Sequence, residues 1–244
     1  MLVAFSGGKD ALACLDLAVK AFPKVQPYFL YWVPGLSFQQ RTIRWAEQRY
    51  GLKVLQYPHA FLSAYYIRSD FRHDLPIDKL TKKMGLTEQE NVIRAQTDIT
   101  WLIAGKKRAD SLWRRGELAQ AEKSHGIDHK RRTIFPLVDW TDADVWNYLK
   151  LARVPTPADY RVFAGLAPHS LSWDLNQKRQ GKYLMRIRET WPEDYEKIRR
   201  QFPLVEALLK REEMYGPQEE AERQARRAHA IAKAKATRAA KKGG

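Results

Sequence analysis

Apolar residues cluster in short runs separated by glycine, proline and polar turns, and the runs alternate between two periods. Leu2 to Phe5 is a continuous apolar run of strand length, broken by Gly7 and Gly8. Leu12, Leu15, Val19 and Phe22 then recur at helical spacing, and Pro23 ends the pattern. Val25 to Val33 predicts a second strand, closed by Pro34 and Gly35. A helix is expected from Ser37, which would cap it with Gln40 reaching back; Ile43, Ala46 and Tyr50 form its inner face and Gly51 its end. Leu52 to Tyr57 predicts a third strand. Strand–helix–strand–helix–strand at this spacing implies a parallel sheet with right-handed crossovers.

The pattern from residue 60 to 85 has no clear period and predicts loop with a short helix. Thr87 with Glu90 predicts a capped helix through about Gln96, and Asp98 to Gly105 a fourth buried strand. Ile134 to Val138 reads as a fifth strand. Thr141 with Asp144 predicts a capping box for a helix carrying Val145, Trp146, Leu149 and Leu151. Pro155 and Pro157 close this region, so the expected organisation is a nucleotide-binding unit over 1–157, a helical part over 158–216 and a tail over 217–244.

Composition narrows the class. The chain has 244 residues, 44% hydrophobic, with no run of membrane-spanning length, so a cytoplasmic globular protein is expected with no membrane partner. Its single cysteine, Cys14, lies between Leu12 and Leu15 and reads as a core residue; it leaves no disulfide, iron–sulfur cluster or Cys-based zinc site. The net charge of +15 points to a polyanionic partner. Beyond position 220 stand eight Lys or Arg against one Glu, in an Ala-rich stretch without apolar period. That stretch is expected to be a frayed, solvated tail, either merely solubilising or a nucleic-acid contact.

The candidate chemistry lies in Ser6-Gly-Gly-Lys-Asp10. A glycine turn between strand and helix aims backbone N–H groups and a positive dipole end at one crevice, Gly7 and Gly8 allow close approach, and Lys9 adds a charge. The expected ligand is phosphate or pyrophosphate. Val3 and Asp10 stand where a Walker loop needs Gly and Ser or Thr, and no G-x-G-x-x-G is present here.

This loop resembles that of the PP-loop ATP pyrophosphatase superfamily. Trp101-Leu-Ile-Ala-Gly-Lys-Lys-Arg-Ala-Asp-Ser111 and Phe135-Pro-Leu-Val-Asp-Trp-Thr-Asp-Ala-Asp-Val-Trp146 are similar to segments of its phosphoadenosine phosphosulfate (PAPS) reductase and ATP sulfurylase group. Tyr148-Leu and Pro155-Thr-Pro-Ala-Asp-Tyr160 resemble that group's continuation, so the likeness covers roughly 2–160. It implies a Rossmann-like α/β fold of the adenine nucleotide alpha hydrolase (HUP) class with a helical C-terminal extension. It also implies ATP or PAPS as ligand, with Mg²⁺ sharing the phosphate charge. Phosphates are expected on Ser6, Gly7, Gly8, Lys9, Asp10, Gly105 and Lys107, catalysis on Lys9 and Arg108, and adenine on the backbone of Tyr31, Trp32 and Val33. No metal ligand is assigned.

The implied reaction is cleavage of ATP between the α- and β-phosphates to adenylate an acceptor, for sulfur transfer or nucleic-acid modification, with a protein partner supplying sulfur or acceptor. A sulfonucleotide reductase using external thiols and a non-catalytic nucleotide sensor or nucleic-acid binder remain as alternatives. Two departures bear on this: Ala11 replaces the family's loop serine, and no cysteine follows Cys14 to serve as the thiol nucleophile.

Overall fold

The computed structural model describes residues 1–72, 83–164 and 180–242, apart from scattered side chains, most of them in the last helix. Strands β1 (Leu2–Ala4), β2 (Gln26–Tyr31) and β3 (Leu55–Pro58) alternate with helices α1 (Lys9–Ala21) and α2 (Ser37–Tyr50). After α3 (Leu62–Arg68) and α4 (Leu86–Thr97) come β4 (Leu102–Ile103), α5 (Leu112–Glu122), β5 (Ile127–Asp128) and β6 (Thr133–Ile134). Helices α6 (Asp142–Leu151), α7 (Asp159–Val162), α8 (Gln180–Thr190), α9 (Pro192–Gln201) and α10 (Val205–Lys242) complete the chain.

The sheet order is β3-β2-β1-β4-β6-β5. Its first five strands are parallel and only β5 is antiparallel, against β6. Leaving β1 the chain moves one way to β2 and β3; β4, on the other side of β1, begins the opposite half. The C-terminal ends of β1 and β4 therefore flank a topological switch point, where open α/β sheets bind ligands. The sheet is the parallel α/β architecture that the strand–helix alternation predicts.

Alternate β1 residues serve opposite faces. Val3 and Phe5 join a core with Leu12, Leu15 and Phe29 that also takes in Leu184, Ile198, Phe202 and Val205, so the C-terminal helices share the core of the sheet. Leu2 packs on the other face with Ile93 and Leu102. Gly181 makes the α8–α10 approach possible: a Cβ there would lie 2.4 Å from Glu212 Cβ and 2.8 Å from the Leu208 carbonyl oxygen.

Several local expectations change. Ser37 is the first residue of α2 and is capped from outside: its amide donates to Asp194 Oδ2 at 2.7 Å and its hydroxyl to the same oxygen at 2.6 Å, while Gln40 bonds Gln56 instead. Helix α4 begins at Leu86, two residues before the position a Thr87 cap implies, because the Glu88 carboxylate accepts the Gly85 amide. The strand expected over 98–105 shrinks to Leu102–Ile103, since Asp98 adopts a left-handed conformation that ends α4. The strand expected over 134–138 ends at Ile134, and β5 pairs beside it. Leu151 ends α6, as one of the apolar residues expected on that helix, but is 84% exposed. Of the stretch from 60 to 85, α3 is the short helix, and 73–82 lie outside the described residues, as do 165–179 of the expected helical part. The basic segment beyond 220 continues α10 as helix; its Ala, Lys and Arg favour that state, and every described side chain from Gln218 onward is exposed.

No helix among the described residues is long and apolar enough to cross a membrane.

Candidate active site at the β1–β4 switch point

The loop after β1 is built by glycine. Gly7 has φ 76°, a left-handed conformation that favours glycine, and Gly7 and Gly8 are both buried. The first N–H groups of α1 already meet hydroxyl oxygens: Gly8 N–H donates to Ser6 Oγ at 3.4 Å and Lys9 N–H to the Tyr160 hydroxyl at 2.8 Å. Those acceptors stand where anion oxygens would bind a helix N-terminus. Gly105, at the end of β4, serves close approach: a Cβ there would lie 3.1 Å from Asp10 backbone and Cβ atoms.

Two lysines and three carboxylates converge at this point. Lys9 Nζ lies 2.8 Å from Asp10 and 2.9 Å from Asp142. Lys107 Nζ lies 2.7 Å from Asp10, 2.8 Å from Asp110 and 3.3 Å from Asp142, and the residue is fully buried. Burial pulls the Lys107 pKa down, but hydrogen bonds to Asp10 and Asp110 more than reverse this, so its ammonium is retained. Burial pushes the Asp142 carboxyl up, and contacts with Lys9 and Lys107 outweigh it, leaving that group below the ordinary carboxylate range. Asp142 begins α6, whose capping box forms as the sequence predicts: Thr141 N–H donates to Asp144 at 2.7 Å and Asp144 N–H to Thr141 Oγ1 at 3.2 Å. Ser111 caps α5 by accepting from Arg114 N–H at 3.1 Å.

Of the expected site residues, the structure brings Ser6, Gly7, Gly8, Lys9, Asp10, Gly105 and Lys107 together. Arg108 lies one residue further along a 3₁₀ turn, 36% exposed, with its guanidinium 2.9 Å from Asp139. The expected adenine segment lies at the end of β2, next to β1 in the sheet. There the Tyr31 carbonyl accepts from His59 N–H at 2.8 Å and the Trp32 carbonyl from Gln201 Nε2 at 2.8 Å, while the Trp32 indole stacks on His59 at 4.7 Å.

Sequence reasoning assigned no role to Asp142 or Tyr160, although both fall inside the quoted segments. It also missed Asp16, a carboxylate on the apolar face of α1. Asp16 accepts from Lys20 at 2.6 Å, Tyr148 at 2.5 Å and Tyr50 at 3.0 Å, tying α1 to α2 and α6. Trp146 lies edge-on to Tyr160 at 5.3 Å, which anchors the ring whose hydroxyl meets Lys9.

Among the described residues, no three His, Cys, Asp or Glu are grouped so as to hold a metal ion. The carboxylates nearest the loop are engaged by lysines. This donor set fits a Mg²⁺ held chiefly by nucleotide phosphates and water, with Asp10 or Asp142 as a protein ligand, rather than a protein cage.

Asp159, beside Tyr160, is 2% exposed and its Oδ1 has no hydrogen-bond partner among the described residues. Burial pushes its pKa from 3.8 up to about 6, against the backbone N–H groups of Asp159 and Tyr160, which pull it down. A carboxyl with a raised folded pKa binds protons more tightly when folded. Its contribution to stability is therefore fully present below about pH 4 and lost as pH rises through about 6. Asp159→Asn is expected to stabilise the protein at pH 8 by on the order of 2 kcal/mol and to change little at pH 4. Melting curves of both proteins across that range test this; a gap independent of pH would count against it.

The model of the phosphoadenosine phosphosulfate reductase domain matches residues 1–161. The chain belongs to this family. The match takes in the β1 loop, the turn after β4 and Tyr160. Sulfate adenylyltransferase subunit 2 of Aliarcobacter butzleri (strain RM4018) is 26% identical over 176 residues, covering 62% of this chain and 56% of that protein. Sulfate adenylyltransferase subunit 2 of Sulfurovum sp. (strain NBC37-1) is 26% identical over 181 residues, covering 64% and 58%. The chain thus spans little more than half the length of these relatives. Among solved structures, phosphoadenylyl-sulfate reductase from Candida auris, in a phosphate complex, aligns at 15% identity and TM-score 0.42 over 66% of this chain and 77% of that one. The U34-tRNA thiolase NcsA from Methanococcus maripaludis, with its [4Fe-4S] cluster, aligns at 14% identity and TM-score 0.40 over 83% and 70%.

Proposed function

We propose that this member of the family binds ATP at the β1–β4 switch point and cleaves it between the α- and β-phosphates, adenylating an acceptor and releasing pyrophosphate. The observation that carries this reading is the convergence of the Lys9 and Lys107 ammoniums on Asp10 beside the Gly7–Gly8 turn. The β- and γ-phosphates take the N–H groups of Gly7, Gly8 and Lys9, displacing the Ser6 and Tyr160 hydroxyls. An acceptor oxygen attacks the α-phosphorus, its bond to the bridging oxygen breaks, and the electron pair leaves with pyrophosphate. Lys9 and Lys107 compensate the developing charge, and Arg108 joins them by exchanging Asp139 for phosphate. Catalysis of this kind rests on positioning and preorganised charge. A Mg²⁺ ion, with Asp10 or Asp142 to hold it, would supply further charge neutralisation.

The adenine edge is read by the backbone around Tyr31–Val33. Similarity to proteins named as subunit 2 of a sulfate adenylyltransferase supports sulfur metabolism and a partner subunit. A nucleic-acid acceptor would be held through the basic segment beyond position 220. Sulfonucleotide reduction would require a thiol from outside this chain: Cys14 is fully buried, and burial pushes its thiol far above the thiolate range.

With ATP labelled at the α-phosphate and sulfate as acceptor, the expected products are an adenylated species and pyrophosphate. ADP with free phosphate would overturn the reading. Lys9→Ala is expected to lower turnover by about 2–4 kcal/mol in the transition state, the scale of one lost charge-stabilising group.

A further inference from the structure

Groups expected to hold phosphate, the Lys9 amide and the Lys9 and Lys107 ammoniums, are met by side chains from one stretch of chain, residues 142–160. Asp142, at the start of α6, lies 2.9 Å from Lys9 Nζ and 3.3 Å from Lys107 Nζ. The Tyr160 hydroxyl, on α7, accepts from the Lys9 amide at 2.8 Å. An anion on two ammoniums and an oxygen on a helix N-terminal amide are the contacts a phosphate group itself would make.

These two groups are held less firmly than the rest of the site. The Asp142 side chain is 69% exposed, whereas Lys107 is fully buried and has Asp10 and Asp110 as further partners. Burial first, and then the charges of Asp10, Asp159 and Asp142, push the Tyr160 phenol up against the pull of the Lys9 amide bond, so its hydroxyl is neutral. A neutral oxygen accepts more weakly than a phosphate oxygen. Helix α7 has only four residues and follows Pro155 and Pro157. It also carries Asp159, whose Oδ1 is buried without a hydrogen-bond partner among the described residues. Docking α7 therefore takes a carboxyl out of water with incomplete compensation, and undocking returns it. Helix α6, by contrast, is fastened to α1 by the Tyr148–Asp16 bond at 2.5 Å.

We propose that Asp142 and Tyr160 form an autoinhibitory gate: they take the phosphate positions of the β1 loop and yield them to an incoming nucleotide, Asp142 by turning its side chain and Tyr160 by undocking of α7. The proposal rests on the ATP-binding reading and adds how access to that site is controlled. The observed affinity is then the intrinsic one reduced by the fraction of molecules whose gate is open.

Calorimetric titration of the full chain with pyrophosphate at pH 8, without Mg²⁺, tests it. Tyr160→Phe keeps the ring on Trp146 and removes the hydroxyl, and is expected to tighten pyrophosphate about fivefold. Asp142→Asn, which removes the negative charge facing the anion, is expected to tighten it about tenfold. Asp159→Asn is expected to act in the opposite direction and weaken binding about fivefold, because a neutral side chain lets α7 dock at lower cost. Opposite shifts from adjacent positions are not what a general loosening of the fold would give. Asp142→Asn and Asp159→Asn leave Tyr160 intact and decide the matter alone should Tyr160→Phe fail to fold. Binding that Tyr160→Phe leaves unchanged or weakens, or that Asp159→Asn tightens, would overturn the gate alone. Absence of pyrophosphate binding in every variant would overturn the ATP reading and the gate with it.

Discussion

Lys107→Ala is expected to cost about 3–5 kcal/mol of stability, the range for breaking a buried ion pair by removing one partner. The side chain is fully buried, and its Nζ is within 3.3 Å of Asp10, Asp110 and Asp142. Without it three carboxylates face one another with only Lys9 between them, and their mutual repulsion has no second cation to offset it. Nucleotide binding should fall with stability, because Asp10 opens α1 and Gly105 packs 3.1 Å from it. Lys107→Met, which keeps most of the volume, is expected to lose nearly as much, identifying charge rather than packing as the cause. Adding Asp142→Asn to Lys107→Ala should recover part of the loss, since the two sites share a partner network. Urea unfolding of the four proteins measures this. A Lys107→Ala loss near 0.5 kcal/mol would show that the cluster is solvated and not a built site.

The contrast between Lys107 and its neighbours shows where the sequence stops being informative. The strand, glycine turn and helix over residues 2–21 are legible because an apolar run, two glycines and a 3.6 period are all local signals. The Gly51 stop and the Thr141–Asp144 box are legible for the same reason. Among Lys106, Lys107 and Arg108, however, the letters are nearly equivalent. Which one turns inward is decided by the 3₁₀ turn over Arg108–Asp110 and by three carboxylates from different parts of the chain. Lys106 goes to Glu117 and Arg108 to Asp139, each a partner that the basic run does not announce. Asp16 had a usable signal, a charged residue on an apolar helix face, but its partners Tyr50 and Tyr148 come from two other helices. The family segments include Tyr160 but give it no role, since its contact spans 151 positions to the Lys9 amide.

Asp194→Ala is expected to be the most damaging change outside the candidate site, again by about 3–5 kcal/mol. Ser37 illustrates why: its local sequence suggests a capping box, yet the group that satisfies the start of α2 arrives from α9. The Asp194 carboxylate is fully buried and accepts from Ser37 N–H at 2.7 Å, Ser37 Oγ–H at 2.6 Å and Phe38 N–H at 3.4 Å. Lys197 pairs with it at 3.0 Å and donates to the Gly35 carbonyl at 2.7 Å, and Gln201 reaches the Trp32 carbonyl. One face of α9 therefore clamps the whole turn after β2. Burial pushes the Asp194 pKa up, but the bonds from Ser37 and Lys197 outweigh it, leaving the folded value below 3.8. Such a group stabilises the fold above its unfolded pKa and ceases to do so as pH falls through the folded one, so this contribution is lost only below about pH 4. Ser37→Ala, which leaves both amides bonded, should cost about 1 kcal/mol. Asp194→Ala strands two amides, one hydroxyl and the Lys197 ammonium together. If urea unfolding at pH 7 gave the two variants equal losses, the clamp would be a single cap and the C-terminal helices would hold the sheet by apolar contact alone. If the gap of several kcal/mol is found and closes as pH falls towards 3, the carboxylate is what fastens α9 to the end of β2.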